Sequence, residues 1–184
     1  MERSEIVLIG PVRTGKSTLG RLLAERLLLP QVSLDEVRLK YYKEIGYDEQ
    51  LAGEIRQKGG FMAFMYYREL FSAHAAERML SDYHDCVFDF GAGIYESDEM
   101  FQRVHKALSV FPHVILVLPS PDIERSLHTL TERDHHPPAD LHFDINRHFL
   151  EHHTYYDLAK LVVYTEGKTP EETCQEIISF IREV

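Results

Sequence analysis

The stretch GPVRTGKST, from Gly10 to Thr18, constrains this chain more than any other segment. It matches the pattern G-x-x-x-x-G-K-[ST], and it lies between the apolar run Ile6–Ile9 and a helical pattern that begins at Lys16. Glycines let the backbone wrap closely around an anion, while successive N–H groups and a helix N-terminus supply positive potential. The stretch therefore predicts a strand, a phosphate-binding loop and a helix.

The chemistry of this phosphate loop assigns two side chains directly. Lys16 is expected to reach the β- and γ-phosphates of a nucleotide, and the hydroxyl of Ser17 is expected to ligate Mg²⁺. The nucleotide-binding residues predicted here are Gly10, Pro11, Val12, Arg13, Thr14, Gly15, Lys16, Ser17 and Thr18.

Apolar runs alternate with longer helical patterns along the rest of the chain, and most runs lack the polar alternation of half-exposed strands. Strands are predicted at Ile6–Ile9, Gln31–Ser33, Cys86–Phe90, Val114–Leu118 and Leu161–Tyr164. Helices are predicted at Lys16–Leu29, Leu34–Ile45, Phe61–Leu80, Ser97–Ser109, Pro121–Leu130, Phe143–Leu158 and Pro170–Arg182, with Ser120 and Thr169 as N-caps of two of them. This order predicts a single α/β domain over residues 1–184, with a five-stranded parallel sheet between two layers of helices.

The composition limits the kinds of partner that this chain is expected to bind. The chain has 184 residues and a formal net charge of −10, which disfavours nonspecific nucleic-acid binding. No apolar stretch approaches the length of a membrane span, and Cys86 and Cys174 are expected to be reduced core thiols of a cytoplasmic protein. We expect a monomer or homodimer without a nucleic-acid or membrane partner.

Five later segments accompany the loop in order: VSLDEVR, YYREL, CVFDFGAGIYE, LTERDHHPP and TYYDLAKLVVYTEGKTPEE. With the phosphate loop, they resemble the shikimate-kinase-like branch of small P-loop kinases. The resemblance implies a sheet of the nucleoside-monophosphate-kinase type, a small lid at about residues 131–143, and ATP with Mg²⁺. The activity it implies is transfer of the γ-phosphate of ATP to a hydroxyl group of a small-molecule acceptor.

The resemblance also implies acceptor residues. Asp35 matches an acid that contacts the acceptor hydroxyl, although it is also favourable simply as an acid in a first helical turn. Arg68 matches an acceptor-binding arginine or is a solvated helix residue. The turn Gly91, Ala92 and Gly93 matches a glycine-rich acceptor loop. Where the family has a second acceptor arginine this chain has Glu151, and Arg147 lies one helical turn earlier.

Those departures argue against shikimate itself, because a carboxylate acceptor favours arginine partners. Ser33 stands where the second-strand motif of the family has its first acid. Asp89 therefore becomes the expected metal-side acid, unless it is a buried acid bonded to the phosphate loop or to a helix. Arg133 is expected to flank the nucleotide. His136 stands where the family has a lid arginine. Arg13 stands where the family usually has glycine, and its side chain either compensates for the missing lid arginine at the transferred phosphoryl group or points to solvent.

Two further functions stay open: a nucleotide or nucleoside kinase, and a nucleotide-binding regulatory protein with little turnover. The histidines add another question, since seven of eleven lie between His128 and His153. His148 and His152 are four residues apart and could face one metal ion, or the group could simply be a polar lid.

Overall fold

The computed structural model describes residues 5–93, 95–133, 144–152 and 154–183. Strands and helices alternate along these residues as the sequence predicts. Their bounds are β1 Ile6–Ile9, α1 Lys16–Leu27, β2 Gln31–Ser33, α2 Leu34–Glu44, α3 Glu49–Asp82, β3 Val87–Asp89, α4 Asp98–Ser109, β4 His113–Leu118, α5 Ile123–Glu132, α6 Ile145–Glu151, α7 Thr154–Leu158, β5 Leu161–Tyr164 and α8 Pro170–Glu183.

The described strands form one five-stranded sheet in the order β2-β3-β1-β4-β5, and every neighbouring pair is parallel. This confirms the predicted fold. Side chains alternate across β1, so Val7 and Ile9 pack in the core on one face of the sheet, and Ile6 and Leu8 pack in the core on the other. Because β1 is the central strand, the loop that follows it emerges at the middle of the sheet's carboxyl edge.

The two cysteines are buried free thiols on different elements. Burial raises the pKa of Cys86 to about 12, so this thiol stays protonated at neutral pH. Among the described residues, no helix combines the length and apolar character that a membrane span requires.

Most helix ends differ from the predicted bounds by one or two residues, and three helices differ in their start, their cap or their continuity. Helix α3 begins at Glu49 rather than Phe61, and Gly60, with φ at 77°, breaks its helical geometry just before the predicted start. Asp122 rather than Ser120 caps α5, because its carboxylate accepts the N–H of Arg125. The region predicted as one helix up to Leu158 is two helices in its described part, since extended backbone at His152 ends α6. Phe143 lies outside the described residues.

The N-terminus of α4 is capped from another helix. Its own N-cap, Ser97, makes no side-chain cap, and the buried Glu69 of α3 instead accepts the N–H groups of Glu96 and Ser97 at 2.5 and 2.7 Å. A carboxylate that accepts two backbone donors near the positive end of a helix is stabilised by both the hydrogen bonds and the helix dipole. Glu69 therefore fixes the loop between β3 and α4 to α3.

We expect Glu69→Ala to lower the free energy of unfolding by about 2–3 kcal/mol, because two partly buried backbone N–H groups would lose a charged acceptor. Urea denaturation measures the change. Glu99→Ala is the matched control, since Glu99 is an exposed acid in the first turn of the same helix and should change stability by less than about 0.5 kcal/mol. Equal effects of the two variants would contradict the capping role.

Candidate active site

The phosphate loop packs against the sheet and encloses its own lysine. Gly10 has φ at 139°, and a Cβ atom there would lie 2.6 Å from the carbonyl oxygen of Val117, so only glycine fits this position. The Nζ of Lys16 donates to the carbonyl oxygens of Gly10 and Pro11 at 2.9 and 2.6 Å. The ammonium group therefore lies inside the curve of the loop.

Burial changes the acidity of Lys16. Loss of hydration lowers its pKa from 10.5 to about 8, and the carboxylates of Asp89 and Asp35 oppose that change. An anion inside the loop would stabilise the charged ammonium and raise this pKa again. Phosphate binding and protonation of Lys16 are thus linked.

Ser17 joins the phosphate loop to strand β3. Its Oγ donates to Oδ2 of Asp89 at 2.6 Å, and the other carboxylate oxygen of Asp89 accepts the N–H of Gly91 at 3.2 Å. Asp89 is 3% exposed. A serine hydroxyl and a carboxylate at this separation are oxygen donors of the kind that Mg²⁺ prefers. Both sequence readings of Asp89 fit this contact, because the partner of the buried acid is the loop's predicted metal ligand.

Asp35 lies in the first turn of α2, where the acid is favourable, and its carboxylate packs against Gly91. A Cβ atom on Gly91 would lie 3.0 Å from Oδ2 of Asp35, and the φ of Gly91 is 63°. Oδ1 of Asp35 accepts a hydrogen bond from Arg38 at 2.5 Å. The glycine predicted to let an acceptor approach the backbone thus also lets this carboxylate approach it.

One cavity of about 400 Å³ brings the two predicted halves of the site together. The phosphate loop contributes Val12, Arg13, Gly15, Lys16, Ser17 and Thr18 to its lining, and other segments contribute Asp35, Asp89, Gly91 and Ala92. A phosphate group held by the loop would therefore share this cavity with Asp35.

Arg68 lies among aromatic rings and is not among the described residues that line this cavity. Its guanidinium donates to the hydroxyl of Tyr42 at 3.2 Å and stacks 5.0 Å from the ring centre of Phe64. Burial raises the pKa of the nearby Tyr95 hydroxyl, and the charge of Arg68 opposes this change. Gly93 packs directly against the same tyrosine ring. Arg68 is therefore a partly enclosed cation and not a fully solvated one.

Arg133 contacts Arg13 of the phosphate loop. Arg133 donates to the carbonyl oxygen of Arg13 at 3.4 Å, as expected for a residue that flanks the nucleotide. Arg13 has φ at 66°, a left-handed conformation that favours glycine, and its exposed side chain lines the cavity. The lid predicted at about 131–143 is described only as far as Arg133, and His136 lies outside the described residues.

Arg147 does not take the predicted acceptor position. Its guanidinium pairs with Glu124 of α5 at 2.9 Å and with Glu151 at 3.3 Å, and these hydrogen bonds raise its pKa. Among the described residues that line the cavity, neither Arg147 nor Glu151 occurs. The two opposite charges, one turn apart on α6, neutralise each other at the surface.

Several site residues were missed by sequence reasoning. Arg38 pairs with Asp35, and its i,i+3 spacing was a usable signal. The side-chain oxygen of Asn146 accepts the N–H of Val12 at 3.0 Å. The two residues are 134 positions apart in the sequence, so no local pattern reveals this contact. Glu36 and Ser33 line a smaller cavity of about 140 Å³ beside Ser17. An acid, Glu36, therefore lies near Ser33, which stands where the family has the first acid of its second-strand motif.

The fold and these contacts define a class of protein. A parallel sheet of this order, a glycine-rich loop around a lysine, and a serine–aspartate pair beside a second carboxylate are the parts of a P-loop phosphotransferase. A shikimate kinase family model matches residues 13–182, and the chain belongs to that family. It is therefore an ATP-dependent kinase that phosphorylates a hydroxyl group of a small molecule.

Individual relatives agree with this assignment. A shikimate kinase of Corynebacterium efficiens is 30% identical over 187 aligned positions, covering 100% of this chain and 99% of the relative. A shikimate kinase of a Marinomonas species is 25% identical, and the alignment covers 96% of this chain and 91% of the relative. The structure of shikimate kinase from Acinetobacter baumannii in complex with shikimate has a TM-score of 0.67 at 21% identity, covering 98% of this chain and 94% of that chain.

We expect ATP affinity to fall as the pH rises above 8, because free Lys16 then loses its proton and must regain it on binding. The loss should approach about tenfold per pH unit above the free-state pKa. Calorimetry in two buffers of different ionisation enthalpy measures both the affinity and the proton taken up. If Lys16→Arg still binds ATP, its affinity should not fall above pH 8. An ATP affinity of the wild type that does not change with pH would contradict the link between binding and protonation of Lys16.

Proposed function

We propose that this chain transfers the γ-phosphate of ATP to a hydroxyl group of a small, neutral, polyhydroxylated acceptor. One observation carries the proposal: Asp35 and Lys16 line the same cavity, and the charge of the Asp35 carboxylate acts on the Lys16 ammonium. Phosphoryl transfer depends mainly on positioning and on neutralising charge, so a cation below the donor and a carboxylate beside the acceptor are the groups it needs.

On the donor side, Lys16 would exchange the carbonyl oxygens of Gly10 and Pro11 for phosphate oxygens. Ser17 and Asp89 would hold Mg²⁺, with Ser17 as the direct ligand and Asp89 through water. The ion supplies charge neutralisation at the β- and γ-phosphates. The short Ser17–Asp89 contact supports this assignment, because it keeps two oxygen donors together next to the loop.

On the acceptor side, Asp35 would orient the attacking hydroxyl and take its proton as the bond to phosphorus forms. Its side chain is 58% exposed, so an acceptor can reach it. Gly91 lets this carboxylate lie against the backbone, and Arg38 holds it by donating to Oδ1. The hydroxyl thus lies between a base and the open end of the phosphate loop.

The charge around Asp35 favours a neutral acceptor. Arg38 is paired with Asp35 itself, and Arg147 is paired with Glu124 and Glu151. Arg68 is a cation that could meet an acceptor, although Tyr42 already accepts one of its hydrogen bonds, and Arg13, which lines the cavity, is assigned below to the transferred phosphoryl group. A carboxylate acceptor is bound best by two bidentate arginines. The relatives are named shikimate kinases, so shikimate is the comparison that decides this point.

The test measures ADP release from Mg·ATP with neutral sugars and polyols, nucleosides, aminoglycosides and shikimate. We expect acceptor-dependent release that Lys16→Ala abolishes and that has its highest kcat/KM for a neutral acceptor. Asp35→Asn should lower kcat by about 10²–10⁴-fold. Asp98→Asn is the matched control, because Asp98 is also an exposed acid in a first helical turn.

The possible outcomes separate the two halves of the proposal. A highest kcat/KM for shikimate would reject the neutral acceptor and leave the transfer reaction standing. Unchanged turnover in Asp35→Asn would reject Asp35 as the base. ATP binding without acceptor-dependent ADP release would reject catalysis altogether and favour a nucleotide-binding regulatory role.

Arg13 is proposed to stabilise charge on the transferring phosphoryl group, where His136 is a weaker partner than arginine. We expect Arg13→Ala to lower kcat by about tenfold or more. The left-handed backbone at this position is unfavourable for alanine as well as for arginine, so stability should change little. Arg13→Lys keeps the charge and should retain more activity than Arg13→Ala. An unchanged kcat in Arg13→Ala would leave only the backbone of Arg13 in the site.

A further inference from the structure

Three potential metal ligands meet beside the acceptor loop. Glu96 precedes α4, and His148 and His152 lie on the last turn and the C-cap of α6. One ligand atom from each residue lies within 4.8 Å of the other two. The two imidazole rings are 4.2 Å apart, and His148 Nε2 contacts a carboxylate oxygen of Glu96. The i,i+4 spacing of the histidines thus converges on an acid from a distant segment.

The surroundings hold this group in place. The Glu96 and His148 side chains are 17% and 14% exposed. The backbone N–H of Glu96 is fixed by Glu69, and the Tyr66 hydroxyl donates to the second carboxylate oxygen of Glu96 at 3.4 Å. Metal-binding carboxylates are commonly oriented by hydrogen bonds of this kind. Glu96 therefore has one oxygen facing the histidines and the other held from behind.

The donor set selects a class of ion. Two imidazoles and a carboxylate suit Zn²⁺ and related first-row divalent metals, whereas Mg²⁺ prefers oxygen ligands throughout. Bonds of about 2.0–2.2 Å place tetrahedral ligands about 3.3–3.5 Å apart, so a bound ion would separate His148 from Glu96 and bring the more distant ligand atoms, which lie within 4.8 Å, closer together. A cavity of about 10 Å³, roughly the space of one water, is lined in part by Glu96 and His152.

A buried hydroxyl points to the same place. Tyr95 also lines this small cavity, and within the described part of the chain its hydroxyl is buried with no hydrogen-bond partner. Buried hydroxyls are almost always paired with protein or with ordered water. A water bound at the fourth position of a metal ion would provide a hydrogen-bonding group inside this cavity.

We propose that Glu96, His148 and His152 form a binding site for Zn²⁺, separate from the Ser17–Asp89 site. The ion would connect helix α6 to the segment that follows Gly91 and Gly93. Since Asn146 on the same helix holds the N–H of Val12, this connection extends from the acceptor loop to the phosphate loop. The site does not depend on the proposed reaction, because its three ligands are not among the residues assigned to ATP, Mg²⁺ or the acceptor.

The experiment titrates the chelator-treated protein with Co²⁺ and then Zn²⁺ in the presence of excess Mg²⁺ and without ATP. We expect one Co²⁺ per chain, with the intense visible absorption of a four- or five-coordinate ion, displaced by Zn²⁺. Zn²⁺ should also raise the thermal unfolding temperature. His152→Ala should weaken binding by at least about tenfold and abolish the visible spectrum. His152 is exposed, so this variant should fold normally, which its unfolding temperature without metal will show.

His74→Ala is the matched control. His74 also pairs with a carboxylate, Glu44 at 2.9 Å, but Arg78 approaches the same oxygen of Glu44 at 3.2 Å where a second imidazole would be needed. This variant should bind Co²⁺ as the wild type does. Glu96→Gln should weaken binding without removing either histidine. Octahedral Co²⁺ alone, or unchanged binding in both His152→Ala and Glu96→Gln, would overturn the proposed site.

Discussion

The hydrogen bond from Ser17 to Asp89 connects the parts of this site that must act together. Ser17 lies in the first turn of α1, the helix that follows the phosphate loop, and Asp89 ends the strand β3. The same carboxylate holds the N–H of Gly91, and Gly91 packs against Asp35. Donor and acceptor sides are therefore joined through one buried acid. A buried carboxylate requires such partners, because leaving it unpaired would cost several kcal/mol. The burial of Asp89 thus makes the geometry of the site and the stability of the sheet edge depend on each other.

The acceptor side differs from the donor side in how its charges are used. Lys16 is enclosed by backbone oxygens that a phosphate can replace, so its charge is held ready for an anion. Arg38 and Arg147 are instead paired with carboxylates of this chain. Arg68 is packed among aromatic rings. This distribution supports a standard nucleotide site next to an acceptor site that offers little net positive charge.

Helix α6 connects these regions although it has only seven residues, Ile145–Glu151. Asn146 contacts the phosphate loop, Arg147 pairs with α5, and His148 contacts Glu96. Successive residues of a helix point about 100° apart, so one short helix can address three neighbours. The proposed zinc ion would act on this helix, and its effect would reach both the loop and the acceptor turn.

The sequence by itself determined the order of strands and helices, the phosphate loop and the roles expected of Lys16 and Ser17. These follow from local patterns: buried strands are apolar throughout, and a phosphate loop requires glycine and lysine at fixed spacing. The roles proposed for Asp35 and Asp89 came instead from the family resemblance. The start of α3 at Glu49 and the break after α6 at the extended His152 were missed by the local pattern. Only the tertiary structure decided that Arg147 pairs with Glu124, that Asn146 contacts Val12, and that Glu96 joins His148 and His152. Each of these contacts links segments distant in sequence, and a side chain with several possible partners is assigned to one of them by packing alone.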